Sequence, residues 1–125
     1  MSTPAPQKRV AVIGASSNRR KYGNRALRAF RQQGYEVIPI NPHESEIEGL
    51  RAYGSVLDVP GTIDMATVYV PPDIGLQVID EVARKGIREV WLNPGAESPE
   101  LSAKARALGL EPIEACSITA LGDTL

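Results

Sequence analysis

The stretch VAVIGASSNRRKYGN, residues 10–24, decides how this chain is read. An apolar run from Val10 to Ile13 stops at Gly14, and small residues follow: Ala15, Ser16 and Ser17. This is the pattern of a buried strand feeding a tight turn. Such a turn offers main-chain N–H groups at a helix start, where phosphate is favoured. The second and third glycines of a dinucleotide-binding turn do not arrive. Three successive cations, Arg19, Arg20 and Lys21, come instead. A helix over 24–33 would gather Ala26, Leu27 and Phe30 on one face and leave Arg25, Arg28 and Arg31 as solvated side chains. No helical face accounts for the loop trio.

Working outward, three segments share one punctuation: QGYEVIPIN at 33–41, KGIREVWLN at 85–93 and LGLEPIEAC at 108–116. In each, a glycine is followed by a short β-rich run. Gly34, Gly86 and Gly109 therefore read as left-handed residues that stop helices. The helix before Gly86 is expected to start with Asp73 as N-cap after Pro71 and Pro72, and to turn Ile74, Val78, Ile79, Val82 and Ala83 inward. Before Gly109, Ser98 is the expected N-cap and Pro99 the first helical residue, with Leu101, Ala105 and Leu108 facing inward. Strands are expected near 9–13, 36–40, 66–70, 89–92 and 111–115. A short edge strand near 50–53 and a helical turn at 55–58 are expected between the second and third of these. Nearly continuous apolar runs suit strands covered on both faces. The expectation is an α/β, Rossmann-like, doubly wound domain with a mainly parallel sheet of five or six strands. It forms a single three-layer domain over 9–125, preceded by a disordered polar tail at 1–8.

Composition sets the bounds. The 125 residues are 42% hydrophobic and 23% charged, ordinary for one globular domain. No apolar stretch approaches the roughly 20 residues of a membrane span. The first eight residues lack the apolar middle of a secretion signal, so the expected location is cytoplasmic. One cysteine, Cys116, leaves no internal disulfide, and one histidine, His43, leaves no plausible metal set. Net charge is -1, yet residues 1–35 hold eight cations and no acid, while the remainder holds six cations and all 15 acids. Such asymmetry points to a polyanionic partner at the N-terminal third. The chain has one Phe and no aromatic-rich basic platform, which argues against nucleic acid.

A parallel sheet of this kind binds ligands beyond the carboxyl ends of its strands. The residues there are small and rich in backbone donors: Gly14 to Ser17, Asn41 to His43, Pro71 and Pro72, Asn93 to Ala96, then Cys116 and Ser117. NAD would want an acid at the end of the second strand, and Asn41 stands there. A phosphate ligand other than NAD is the better fit. No nucleophile–base pair or paired carboxylates are evident, so no catalytic residue is assigned. Cys116 reads as a structural thiol.

Beyond this, VAVIGASSNRRKYGNRALRAFRQQGYEVIPINP, DMATVYVPPD, REVWLNPGAES and EACSI together resemble the small single-domain CoA-binding proteins. These are relatives of the nucleotide-binding domain at the start of the succinyl-CoA synthetase alpha subunit. The resemblance covers about residues 8–118. It implies coenzyme A or an acyl-CoA as ligand, bound by a non-catalytic carrier, sensor or subunit. It further implies that Gly14, Ala15 and Ser16 meet the pyrophosphate, with Ser17 as a further donor. Asn41 and Pro42 would border the nucleoside, and Tyr69, Val70 and Pro71 would line the adenine and pantetheine path. Asn93 and Gly95 would complete the wall. Arg19, Arg20 and Lys21 would meet the roughly three to four negative charges of CoA. The synthetase carries phosphate on a histidine, whereas His43 lies in a different loop, so ligase activity is not expected. A homodimer or a partner enzyme subunit is the implied assembly. The rival readings are an NAD(P)-dependent or acyl-CoA-using enzyme and a nucleic-acid-binding regulator.

Overall fold

Five parallel strands form the central sheet, in the order β2-β1-β5-β6-β7. They are β1 (Arg9–Ile13), β2 (Glu36–Ile40), β5 (Met65–Val68), β6 (Glu89–Leu92) and β7 (Glu111–Glu114). The computed structural model describes residues 7–122. Of the tail expected at 1–8, residues 1–6 lie outside the described residues. The Gln7 side chain donates to the Gly34 carbonyl at 2.7 Å, and the Lys8 carbonyl accepts from the Glu36 N–H at 2.9 Å.

Helix α1 (Tyr22–Gln32) carries the chain from β1 to β2, and α2 (Pro72–Lys85) and α3 (Pro99–Ala107) follow β5 and β6. A small antiparallel hairpin, β3 (Glu46–Ile47) with β4 (Leu50–Arg51), and a 3-10 turn at Val56–Asp58 fill the stretch between β2 and β5. Helix α4 (Ser117–Ala120) closes the described chain.

Strand alternation sorts β1 between two cores. Val10 and Val12 pack with Ala26, Leu27 and Phe30 of α1. Ala11 and Ile13 pack on the opposite face with Ile79 and Val82 of α2 and Leu101 and Ala105 of α3. All of these are buried. Phe30 stands edge-on to Tyr35 at 5.0 Å between ring centroids, and burial of a side chain of this size stabilises by about 1.5–3 kcal/mol. The result is the expected three-layer, doubly wound arrangement. The strand order reverses between β1, whose helix lies on one face, and β5, whose helix lies on the other.

Gly34, Gly86 and Gly109 all take the left-handed conformation, with φ of 92°, 85° and 83°. Ser98 caps α3 by accepting from the Leu101 N–H at 3.1 Å. Three local expectations are corrected. Pro71, not Asp73, is the N-cap of α2, because the proline ring presets the extended entry two residues earlier. Leu108 ends α3 as its C-cap and is 40% exposed instead of inward. The third long strand stops at Val68, two residues early, and the chain leaves the sheet at Tyr69 and Val70.

Both outer strands hold a proline, Pro39 in β2 and Pro112 in β7. The Pro39 carbonyl accepts from the Tyr53 N–H outside the sheet, while Glu111 donates inward to the Arg88 carbonyl. Adjacent strand residues point their main-chain groups to opposite sides. Each proline nitrogen therefore faces away from the sheet.

Candidate functional site

The turn after β1 is held from two sides. The Gly14 N–H donates to the Ile40 carbonyl at 3.1 Å, and the Tyr69 N–H donates to the Ile13 carbonyl at 2.8 Å. This ties the ends of β2 and β5 to the end of β1. Gly14 has φ 91°, and a Cβ there would stand 3.0 Å from the Tyr69 carbonyl carbon, so only glycine fits. Helix α1 approaches just as closely: a Cβ on Gly23 would lie 2.2 Å from the Gly14 carbonyl oxygen. The close-packing glycine missing from the sequence pattern is thus present nine positions later.

Two asparagines hold the loop carbonyls. The Asn24 side chain, fully buried, donates to the Ser16 carbonyl at 2.8 Å, and the Asn41 side chain donates to the Ala15 carbonyl at 2.8 Å. Arg28 fixes Asn24 through a 2.8 Å bond to its Oδ1 and reaches the Arg19 carbonyl at 3.0 Å. Arg31 donates to the Glu48 carbonyl at 2.8 Å. Arg28, half-buried, is therefore a loop brace and not the solvated surface expected of it, while Arg31 stays exposed as expected and adds one bond to a loop carbonyl.

No side chain caps α1 at Lys21, so its first N–H groups and the positive end of its dipole stay open beside the loop. The Ser17 N–H donates at 3.2 Å to the carboxylate of Glu44. That carboxyl is held below the usual carboxylate range by the Ser17 hydroxyl and N–H, with the Lys21 charge adding to them. The loop already carries an anionic group on a main-chain amide.

From this corner a cleft of about 800 Å³ runs along the carboxyl ends of the strands. Gly14, Ala15, Ser16 and Lys21 form one end. Asn41 and Pro42 border it from β2, and Tyr69, Val70 and Pro71 from β5. Gly95 lines it from the turn after β6. Ile40, Val56 and Val78 supply an apolar wall, and Glu81 bonds to the Ser55 hydroxyl. The volume falls within the roughly 300–1,000 Å³ of small-molecule sites.

Four expected residues do not line it. Ser17 is exposed beside the cleft with its N–H on Glu44. Arg19 pairs with Glu48 at 3.6 Å, and the exposed Arg20 uses its N–H on the Asn18 side chain at 3.1 Å. Lys21 is the member of the trio that faces the cleft. Asn93 is 1% exposed, with its amide on Thr67 Oγ1 at 2.7 Å and the Val68 carbonyl at 2.9 Å, and its Oδ1 accepting from the Ser117 N–H at 2.8 Å. It anchors α4 to the sheet behind the wall.

Cys116 also lies outside the cleft lining, at the N-cap of α4. Partial burial pushes its thiol up, but hydrogen bonds from Thr119 and from the Ile118 N–H bring it below the ordinary value. The Tyr69 hydroxyl shares Ser117 Oγ at 3.0 Å, and burial raises its phenol. His43, expected at the end of β2, lines the cleft; residues not anticipated include Tyr22, Glu44, Ile74 and Glu81. The apolar spacing of α2 placed Ile74 on the inner face, where it is 44% exposed at the cleft mouth.

The family model described as CoA binding domain matches residues 8–122. The chain belongs to the CoA-binding domain family. The alpha subunit of the ADP-forming acetate–CoA ligase II of Pyrococcus furiosus is 38% identical over 82 residues, which is 65% of this chain and 18% of that subunit. This CoA-binding domain therefore spans under a fifth of that relative's length. A conserved hypothetical protein from Pyrococcus furiosus superimposes with a TM-score of 0.81 at 37% identity, covering 91% of this chain and 98% of that one. The dinucleotide forming acetyl-coenzyme A synthetase 1 of Ca. Korarchaeum cryptofilum, in its apo form, superimposes with a TM-score of 0.76 at 31% identity, covering 86% of this chain and 26% of that one. The resemblance read from the sequence is borne out: this is a CoA-binding domain related to domains of CoA ligase subunits. Among the described residues, no helix is long and apolar enough to cross a membrane, and no group of three or more His, Cys, Asp or Glu is placed to hold a metal ion.

Proposed function

We propose that the cleft binds coenzyme A or an acyl-CoA, and that the domain works as a non-catalytic binding module, a carrier, sensor or subunit. In this reading the pyrophosphate rests against Gly14, Ala15 and Ser16 at the open start of α1, with Lys21 as its cation. Asn41 and Pro42 border the nucleoside, and Tyr69, Val70 and Pro71 flank the path of the adenine and pantetheine. Gly95 closes the far side.

The observation that carries the reading is the Ser17 N–H holding a carboxylate at 3.2 Å beside an uncapped helix start. Main-chain amides arranged this way bind phosphate oxygens equally well. The non-catalytic part is supported by the commitments of the cleft's ionisable groups: Glu44 to Ser17, Glu81 to Ser55 and Tyr69 to Ser117.

Melting temperature measured with CoA, dephospho-CoA, NAD and NADP tests the assignment. A ligand at a hundred times its Kd stabilises the native state by about 2.7 kcal/mol. CoA is expected to give the largest rise. A rise with NAD or NADP and none with CoA refutes the proposal.

A further inference from the structure

The carboxylate of Glu44 occupies the anion corner of the cleft. Its Oε2 lies 3.2 Å from the Ser17 nitrogen and 3.3 Å from Asn41 Nδ2. The same Asn41 side chain holds the Ala15 carbonyl and accepts from the His43 N–H at 2.7 Å. Asn41 thereby tightens the β2–β3 connection into a turn that aims position 44 at the phosphate loop. Lys21, the cation that lines the cleft, is close enough to contribute to holding Glu44 ionised. One carboxylate thus occupies the Ser17 amide and the Asn41 side-chain donor at the edge of the loop proposed for the pyrophosphate, within the field of the Lys21 charge.

We infer that Glu44 is a built-in competitor for the phosphate corner, which an anionic ligand must displace, so that this residue sets how strongly the cleft selects for ligand charge. The inference rests on the CoA reading for its ligand, though not for its geometry. Two features fit displacement over permanent structure. Glu44 sits on an irregular segment between β2 and β3, and its bonds, at 3.2 and 3.3 Å, are at the long end for charge-assisted contacts. A diphosphate brings more charge and more oxygens to the same donors, so it wins where a single carboxylate does not. A neutral or singly charged ligand gains less from the exchange.

Calorimetric titration of the full chain with CoA, and separately with inorganic pyrophosphate, tests this in wild type, Glu44→Gln and Glu46→Gln. Glu46 is exposed on β3, so its variant makes the same charge change outside the cleft lining. Removing one negative charge about 4 Å from the ligand is expected to tighten both ligands about fivefold in Glu44→Gln, with less than a twofold change in Glu46→Gln. Binding by Glu44→Gln alone, with none by wild type, also supports the inference. Equal tightening in both variants makes the effect one of net charge and overturns it. Weaker binding in Glu44→Gln makes the carboxylate a direct ligand group, such as an acceptor for ribose hydroxyls, and overturns it too. Unchanged binding with CoA still bound by all three overturns the inference and leaves the CoA reading standing. No binding by any of the three removes both.

Discussion

Gly23 and Gly14 meet backbone to backbone across the β1–α1 turn, so closely that a single methyl at position 23 would overlap the Gly14 carbonyl oxygen. Because that oxygen belongs to the main chain, no rotamer change relieves the overlap. Gly23→Ala is expected to push the start of α1 off the loop and destabilise the domain by about 1–3 kcal/mol. CoA affinity should fall at least tenfold in the same variant. Urea unfolding and calorimetric titration measure the two effects separately.

Lys21 lines the cleft while Arg20 points its main-chain N–H at Asn18 and stays exposed. A charge-assisted hydrogen bond to phosphate contributes about 1.5–3 kcal/mol, so Lys21→Ala should weaken CoA binding tenfold or more. Arg20→Ala should change it by less than about threefold. A reversed order in a titration of the two variants would reassign the cation.

Asn93 satisfies Thr67, the Val68 carbonyl and Ser117 inside the protein. Asn93→Ala removes these hydrogen bonds, takes the partner from the buried Ser117 N–H and should cost about 3 kcal/mol, seen as a lower urea midpoint with an unchanged slope. Affinity for CoA should stay within about threefold under conditions where the variant is folded. A large loss of affinity without loss of stability would return Asn93 to the cleft wall.

The lowered titration of Glu44 gives a pH prediction whose sign is fixed. Its folded-state value lies below the unfolded one, so its contact with Ser17 contributes fully above the ordinary carboxylate range. The contribution fades as pH falls through the lowered value. The amide nitrogen shift of Ser17, followed by NMR, should titrate with a midpoint below that of an unperturbed glutamate. The transition should vanish in Glu44→Gln.

The strands and their order of appearance were readable because each helix stop is a glycine followed by a short β-rich run, and β2, β6 and β7 fall where those runs lie. Much of the cleft was readable for the same reason, since strand ends are local features. What escaped were contacts that join distant positions. Asn93 looks like a turn residue beside Pro94 and Gly95, but it turns inward because Thr67 and Ser117, 26 and 24 positions away, offer the polar partners. Glu44 looks like one more loop acid until Asn41 folds it back on Ser17. Arg28 looks like surface because a helical wheel contains no loop for it to hold. Gly23 belongs to no spacing rule; its necessity comes from the approach of α1 to Gly14.

The two outward prolines bear on how copies of this domain can associate. Each outer strand lacks one outward amide hydrogen, Tyr53 already bridges the outer edge of β2, and β7 adds Glu111 and Glu114 at its ends. Growth of the sheet by strand addition, whether by pairing two copies into one continuous sheet or by runaway stacking, is therefore disfavoured at both margins. Helical faces are then the favoured ground for self-association, and those beside the cleft mouth would bring assembly into competition with ligand entry.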